Sequence, residues 1–294
     1  FTPKQQVALD RWVAGELDET NFLREANWRQ VWGDDFGYYR ELLELCRDNG
    51  VLIVGLNADK SLTRAVSRSE PAELSEALQE QLPDMSLIDS YQQAMAEAVF
   101  GKHGPGPHTE GFKRVQTLWD QAMAENAARF LKSEKGKGRR LVVAAGGNHV
   151  QYGYGIPRRL FRLLPVSYCL VGTEEIVIPE EKKHQIMDVE MPRFPMCAFD
   201  YVVYCEYEIL EGRAKLGVVF SILANELTIE EVMEGSNAQR AGLQAGDQLK
   251  TFDGQSIEDV YDLNFQLSQK RHGDRVRLVV ERETKLVELD LVFQ

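Results

Sequence analysis

The stretch GSNAQRAGLQAGDQLKTFDGQSI, residues 235–257, decides the fold of the C-terminal part of the chain. Ala238 and Ala241 allow a short helix to pack closely, and Gly242 suits a position with positive φ. Asp253-Gly254 predicts a tight turn between two strands. The stretch therefore predicts a small module in which a short helix is followed by antiparallel strands.

Short apolar runs separated by turn residues continue on both sides of this stretch. One helix is predicted near Ile257–Gln269. The predicted strands are Val218–Ile222, Leu227–Val232, Gln248–Phe252, Val276–Glu281 and Leu286–Phe293. This pattern predicts a separate β-rich domain.

The quoted stretch closely resembles the hallmark segment of PDZ domains. Lys215-Leu216-Gly217-Val218 stands where that family has its carboxylate-binding loop. In PDZ domains, backbone N–H groups of this loop bind a peptide C-terminus, and the next strand pairs with the peptide. The resemblance implies a protein partner whose C-terminal peptide contacts Leu216, Gly217 and Val218.

The helix Val260–Leu267 forms the other border of the implied groove. Tyr261 and Phe265, at i and i+4, could face the groove, whereas Leu263 and Leu267 are predicted core residues. The alternative is a module that only packs on the main domain or dimerises it, with no free peptide ligand.

Upstream, helical apolar stripes alternate with apolar runs of strand length. The predicted strands are Val51–Leu56, Leu141–Ala145, Val166–Val171 and Phe199–Cys205. This alternation predicts an α/β domain with a mostly parallel sheet and helices on both faces. With Glu211-Gly212-Arg213 as a linker, the predicted domains are 1–210 and 213–294.

The segment VVAAGGNHVQYGYGIP, residues 142–157, is the strongest candidate for chemistry. It places polar side chains in a glycine turn at the carboxyl end of a predicted strand, where open α/β sheets bind ligands. Asn57 ends another predicted strand and could reach the same pocket, and His and Tyr are both axial ligands of haem iron. The candidate ligand-binding residues are Asn57, Asn148, His149, Tyr152 and Tyr154.

The histidines in and near this segment allow other interpretations. His149 could instead be a structural histidine in a glycine-rich loop. His103 and His108 flank Gly-Pro-Gly-Pro at 104–107 and could close over a ligand, although such residues are commonly solvated.

Four segments together carry a family resemblance: Gly146–Pro157, Val54–Ala58, Gln116–Ala124 and Asp200-Tyr201-Val202. They are similar to the ChaN-like haem-binding lipoproteins over about residues 1–207, and several bacterial members carry a PDZ domain behind this region. The wider superfamily includes erythromycin esterases and Tiki-type metalloproteases. The resemblance implies a bacterial envelope protein, periplasmic or lipid-anchored, that binds haem through a tyrosine, with propionates held by His and Lys across a homodimer. It also implies a strand and a Gly-Glu-x-His-type segment upstream of Phe1 that form the other half of the pocket.

The charge balance argues against nucleic acid as a partner. Lys and Arg total 34 against 46 for Asp and Glu, and the net charge is −12. No apolar run approaches the eighteen or so residues that span a bilayer.

Three functional hypotheses follow. The first is a haem or iron-ligand binding protein whose PDZ module recruits a protein. The second is a metal-dependent hydrolase of the same superfamily, in which His149 binds a divalent metal ion or serves as general base. The third is a non-catalytic scaffold that acts through its PDZ domain. The sequence leaves open whether the protein is an enzyme.

Overall fold

The computed structural model describes residues 1–32, 35–86, 89–100, 107–180, 183, 192–206, 214–223 and 226–294. The chain divides into two compact units: Phe1–Val13 with Gly50–Glu208, and Ala14–Asn49 with Ile209–Gln294. The segment Ala14–Asn49, which the predicted domain 1–210 includes, therefore groups with the C-terminal unit. The predicted linker Glu211-Gly212-Arg213 lies outside the described residues.

The elements are named here in chain order. The α-helices are α1 (Gln6–Val13), α2 (Glu19–Glu25), α3 (Trp28–Val31), α4 (Arg40–Asp48), α5 (Lys60–Arg68), α6 (Glu76–Gln79), α7 (Ser90–Phe100), α8 (Pro107–Lys132), α9 (Ile156–Leu163), α10 (Asn237–Ala241) and α11 (Val260–Ser268). The strands are β1 (Val171–Val177), β2 (Tyr201–Glu206), β3 (Val218–Leu223), β4 (Glu226–Val232), β5 (Gln248–Phe252), β6 (Gln255–Ser256), β7 (Arg275–Arg282) and β8 (Lys285–Val292).

The first unit is organised around α8, which is 26 residues long. Leu118 on α8 packs against Leu62 and Val66 of α5, and all three side chains are buried. Gly111 allows this close packing, because a Cβ atom there would lie 2.3 Å from the backbone oxygen of Ser67. Helix α9 packs against the other end of α8, where Ile156 joins Met123 and Ala124 in a second buried cluster.

The predicted large parallel sheet is not confirmed. The described part of this unit has one two-stranded sheet, in which β1 and β2 pair in parallel. The segment Val51–Leu56 forms no strand, and side chains bond to several of its backbone groups. Gln6 donates to the Ile53 oxygen (2.8 Å) and accepts from the Gly55 N–H (3.1 Å).

Two other predicted strands also differ from the structure. Leu141–Ala145 has no strand neighbour within the described ranges, and Val142 is 91% exposed. The strand predicted at Val166–Val171 begins only at Val171. At Leu170 the oxygen already accepts from the N–H of Tyr201 in β2 at 3.1 Å, but the N–H donates to the Asp200 side chain at 2.7 Å instead of to a strand. A strand requires a neighbour in register, which an apolar run alone does not specify.

The second unit contains the predicted β-rich module. Its sheet has the antiparallel order β3-β4-β5-β7-β8, with β6 paired to β5. Every strand predicted for this region is present. Phe252 and Phe293 are buried in its core, and each stabilises the fold by roughly 1.5–3 kcal/mol.

The helical segment Ala14–Asn49 has an aromatic core of its own. Phe22, Trp28 and Phe36 are buried, and the Trp28 and Phe36 rings meet edge to face with centroids 5.1 Å apart. Helix α2 contacts α11 of the same unit.

Candidate functional site

The glycine loop, residues 146–157, consists of two short 3-10 turns that lead into α9. The first turn spans Gly147–His149 and the second Gln151–Gly153. Tyr152 has a φ of 57° and Gly153 a φ of 71°, so the chain passes through the left-handed region twice in succession. This bend turns the His149 side chain toward α8.

His149 is held by a buried carboxylate of α8. Its Nδ1 lies 2.5 Å from Oδ1 of Asp120, which is 0% exposed, while the His149 side chain keeps 18% exposure. Gln116, one helical turn before Asp120, brings its Nε2 to 2.9 Å from the same Nδ1. The ring of Trp119 meets the imidazole edge to face at 6.0 Å between centroids. His149 is therefore a fixed side chain.

The second oxygen of Asp120 also has partners. Gln116 Nε2 lies 3.1 Å from Oδ2, and Gln92 of α7 donates to the same oxygen. Arg159 of α9, which is buried, donates to Gln92 Oε1 at 2.9 Å and to Gln121 Oε1 at 3.0 Å. Burial lowers the pKa of Arg159. Three helices thus place one polar network behind the imidazole.

A polar cavity of ≈ 90 Å³ adjoins this network and is lined by Gln92 and Gln116, among others. Asn148 joins these two glutamines around a second, smaller cavity. Enclosed pockets for ligands of drug or cofactor size measure about 300–1,000 Å³. The larger cavity is therefore too small for a porphyrin.

The two candidate tyrosines belong to an aromatic cluster. Tyr154 is 1% exposed, stacks on Tyr91 at 5.1 Å and donates its hydroxyl to Met196 Sδ at 3.5 Å. Burial raises the pKa of Tyr154, which disfavours the phenolate that would bind iron. Tyr152 packs edge to face on Phe194 with ring centroids 4.9 Å apart. Of the two, Tyr152 is the more accessible.

Tyr168 is a further phenol at this loop, and the sequence had placed it only in a strand. It is 50% exposed, and its hydroxyl lies 3.0 Å from the position of a Cβ atom on Gly153. No short motif marks Tyr168, because its contact with the loop arises only from folding.

Asn57 lies apart from this arrangement. Its side-chain oxygen accepts from the N–H of Ala58 at 2.7 Å, and no contact within the described ranges joins it to Asp120 or His149. His103 and the side chain of His108 lie outside the described residues.

Asp120 is the principal residue that motif reading missed. It lies within the segment Gln116–Ala124, quoted above only for its family resemblance. A signal was available, because Gln116 and Asp120 stand at i and i+4 on a helix with many apolar positions. A carboxylate on such a face needs a buried partner.

The loop Ala214–Gly217 precedes the edge strand β3 of the second unit. Leu216 is buried, and Gly217 has a φ of 81°. The oxygens of Leu216 and Gly217 accept from the N–H groups of Ala238 (2.9 Å) and Met233 (3.0 Å). Their own N–H groups have no acceptor among the residues that the structure describes.

Helix α11 presents different faces to the core and to α2. Leu263 is buried in the core, and Val260 and Leu267 pack against it. Phe265 is half-buried and outside that cluster. The Tyr261 hydroxyl donates to Asn27 Oδ1 at 3.1 Å, which ties this predicted groove residue to the helical segment.

Arg24 of α2 binds the N-terminal turn of α11. Its Nε lies 2.5 Å from Asp259 and its second nitrogen 2.8 Å from Asp262. Asp259 also caps the helix by accepting from the N–H groups of Tyr261 and Asp262. The position of α11 therefore depends on an ion pair between the two parts of this unit.

Two protein-family models match the chain. The model of the family described as haem-binding uptake, Tiki superfamily, ChaN, matches residues 1–160. The chain belongs to this ChaN family. A PDZ domain is matched at residues 214–292. Both results confirm the family resemblance found in the sequence. No curated protein matches the chain.

Solved structures resemble shorter parts of the chain. The HtrA-type protease AlgW with decapeptide is 26% identical, with a TM-score of 0.26 over 27% of this chain and 28% of that one. An aminopeptidase N family protein from Idiomarina loihiensis is also 26% identical, with a TM-score of 0.26 over 28% of this chain and 14% of that one. The chain spans less than a third of the length of either structure.

The donor set of this ChaN-family chain can be tested against haem. Within the described ranges, no group of three or more His, Cys, Asp or Glu side chains could hold a metal ion. Haem iron needs fewer protein ligands, and an imidazole fixed by a carboxylate is a suitable axial donor. No helix of the described part is long and apolar enough to cross a bilayer.

Proposed function

We propose that this chain binds haem, or a related iron ligand, at the glycine loop, with His149 as the ligand-facing side chain. The observation that carries this proposal is the contact between His149 Nδ1 and the buried Asp120. It holds the ring by one nitrogen and leaves Nε2 for a ligand. Bound haem supplies an iron centre that takes an axial nitrogen or oxygen donor.

The remaining parts of such a site lie around the same loop. A phenol oxygen is available from Tyr152 or from the half-exposed Tyr168. Because the adjoining cavity is only ≈ 90 Å³, the porphyrin would lie on the open surface of this unit. A second copy of the chain could cover it, as the family resemblance implies, and hemin would then saturate at half an equivalent per chain.

Hemin titration of the full chain tests this proposal. We expect a Soret shift that saturates with wild-type protein and is lost or weakened at least tenfold in His149→Ala. His272→Ala removes an exposed imidazole from the PDZ domain and should leave the titration unchanged. A wild-type chain without a Soret shift, or equal binding by His149→Ala, would contradict the proposal.

We propose further that the PDZ domain binds the C-terminal peptide of a protein partner. The N–H groups of Leu216 and Gly217, which have no acceptor in the described part of the chain, suit a carboxylate, and β3 is an edge strand of the described sheet to which a peptide strand can add. Fluorescence polarisation of a C-terminal peptide library with the full chain should yield micromolar binders. Amidation of the peptide C-terminus should abolish their binding, and amidated peptides that bind equally would contradict carboxylate capture.

The proposed location is the bacterial cell envelope, periplasmic or lipid-anchored. Membership of the ChaN family supports it. Fractionation of the native host should recover the protein from periplasm or membranes, whereas recovery from the cytosol would contradict this location.

A metal-assisted hydrolase is the second candidate, and the Asp120–His149 pair favours it. A carboxylate that orients an imidazole is also the arrangement of a general base. Esterase or peptidase activity that requires a divalent ion and disappears in His149→Ala would support it. Hemin binding without such activity would decide for the first proposal.

A further inference from the structure

We infer that Asp120 is a positioning residue that fixes the tautomer of His149, with the proton on Nδ1 and the lone pair on Nε2. This inference deepens the proposed function, on which it rests for the identity of the ligand. The statement about the tautomer itself concerns only the protein.

The direction of the hydrogen bonds is set at Arg159. A guanidinium can only donate, so the Gln92 atom 2.9 Å from it must be the amide oxygen. The amide nitrogen of Gln92 then points the other way and donates to Asp120 Oδ2. The buried arginine thereby removes the ambiguity that usually attaches to a glutamine amide.

The same assignment of donors and acceptors extends from Asp120 to the imidazole of His149. Gln116 Nε2 lies 2.9 Å from His149 Nδ1 and has two further acceptors, Asp120 Oδ2 at 3.1 Å and the Asn148 oxygen at 3.5 Å. We assign its two hydrogens to these two oxygens, which makes it a second donor to Oδ2 and leaves Nδ1 to the shorter contact with Oδ1. With Oδ2 occupied by two amides, Oδ1 is the acceptor that faces His149 Nδ1 at 2.5 Å. An acceptor at that distance requires a proton on Nδ1, so a neutral ring carries its lone pair on Nε2.

This lone pair has a chemical consequence. Nε2 has no hydrogen-bond partner in the part of the chain that the structure describes, and the side chain keeps 18% exposure. A neutral imidazole in this tautomer can donate its lone pair to iron, whereas the opposite tautomer presents an N–H instead.

Nitrogen-15 NMR of the full chain, labelled at histidine and recorded at about pH 8, reads the tautomer directly. At this pH an ordinary imidazole is neutral. The chain has five histidines, and His149→Gln identifies the signals of His149. We expect the wild-type ring to carry its proton on Nδ1. A proton on Nε2 in the wild-type spectrum overturns the inference without any variant at Asp120.

The variant Asp120→Asn provides a second test of the tautomer. The amide oxygen of the substituted side chain is expected to turn toward the two glutamine amides, so that its NH2 group faces Nδ1 and forces the proton to Nε2. The NMR spectrum should then show the opposite tautomer. An unchanged tautomer in a folded Asp120→Asn chain overturns the inference.

Hemin affinity connects the tautomer with the ligand. Asp120→Asn should weaken binding roughly 10–100-fold, as losses of outer-shell partners do. Asp247→Asn is the matched control, because Asp247 is equally buried at 0% exposure but lies in the PDZ domain beside Arg282. A reversed tautomer with undiminished hemin affinity overturns the role of Nε2.

The two proposals fail in different ways. If wild-type chain binds no hemin but shows the Nδ1–H tautomer, haem binding fails and the positioning role of Asp120 stands. If hemin binds and the wild-type ring carries Nε2–H, haem binding stands and the positioning role fails.

Discussion

The two glycine-containing loops that we propose as binding sites present their ligand groups differently. The loop 146–157 presents a side chain, His149, and relies on Asp120, Gln92 and Arg159 from three other helices. The loop Ala214–Gly217 presents backbone N–H groups and is held through its own carbonyl oxygens, which accept from the N–H groups of Ala238 and Met233. Binding through the His149 side chain should therefore respond to substitutions far from it in the sequence. Binding through backbone N–H groups should respond to substitutions that change the backbone conformation of the loop itself.

The largest effect is expected from Gly217→Ala. The residue has a φ of +81°, and a Cβ atom would lie 2.3 Å from Cβ of Ser236. Left-handed strain costs roughly 1–2 kcal/mol and overpacking roughly 1–3 kcal/mol, so the free energy of unfolding should fall by roughly 2–5 kcal/mol. Peptide binding should be lost, while hemin binding persists. Urea unfolding and fluorescence polarisation measure the two effects.

Gly254→Ala is its control. Gly254 has a φ of +78°, but the space around its Cβ position is open. Only the strain of roughly 1–2 kcal/mol should appear, with peptide affinity retained. Equal losses in both variants would show that the Ser236 contact is unimportant and would weaken the account of this loop as a rigid backbone site.

Gly155→Ala tests the loop 146–157 in the same way. Its Cβ atom would lie 2.2 Å from the backbone oxygen of His149 and 3.1 Å from Asp120 Oδ2. Neither group can retreat without moving the imidazole. We expect hemin affinity to fall at least tenfold and stability by roughly 1–3 kcal/mol, with peptide binding unchanged.

Gly146→Ala serves as the matched substitution in that loop. A Cβ atom there would lie 3.8 Å from Cδ2 of His149, which is an ordinary contact. Hemin affinity and stability should remain near the wild-type values. A large loss in Gly146→Ala would indicate that the whole loop, rather than the contact at Gly155, controls His149.

The same contrast explains what could be predicted from the sequence. The PDZ strands follow from local turns and alternation, and the structure has them within a few residues of their predicted ends. The parallel sheet did not follow, because pairing depends on neighbours that an apolar run such as Val51–Leu56 does not specify. His149 was found from its loop, but its partner Asp120 lies 29 positions away and Arg24 lies 235 positions from Asp259. Such contacts leave little trace in a single sequence.

A smaller effect is expected from Arg24→Ala, which cuts the ion pair between α2 and α11. The side chains of Arg24 and Asp259 are 34% and 31% exposed, so the loss should be roughly 0.5–1 kcal/mol at low salt and less at 1 M NaCl. Arg277→Ala, at a side chain that is 65% exposed, should change stability by less than roughly 0.5 kcal/mol.

The stabilisation by the Arg24–Asp259 ion pair should depend on pH. Burial raises the pKa of Asp259, but hydrogen bonds from Arg24 and from two backbone N–H groups outweigh burial, and the pKa is lowered. Because the unfolded pKa is about 3.9, the contribution of Asp259 is present above about pH 4 and is lost as the pH falls through the folded value. The difference in the free energy of unfolding between wild type and Arg24→Ala should therefore become smaller at about pH 3. A gap that is constant from pH 7 to pH 3 would assign the effect to packing.

The smallest effect is expected from Tyr154→Phe. The hydroxyl is buried, and its one acceptor among the described residues is Met196 Sδ, a weak acceptor. Its removal should therefore change stability by roughly 0.5 kcal/mol or less and hemin affinity by less than twofold. Tyr168→Phe is the informative partner, since its half-exposed phenol touches the same loop. If a tyrosine contributes to haem binding, the Soret band should change in Tyr168→Phe or Tyr152→Phe and not in Tyr154→Phe. A Soret change confined to Tyr154→Phe would mean that the aromatic cluster opens to admit the ligand, and the side-chain site would then be less rigid than its contacts indicate.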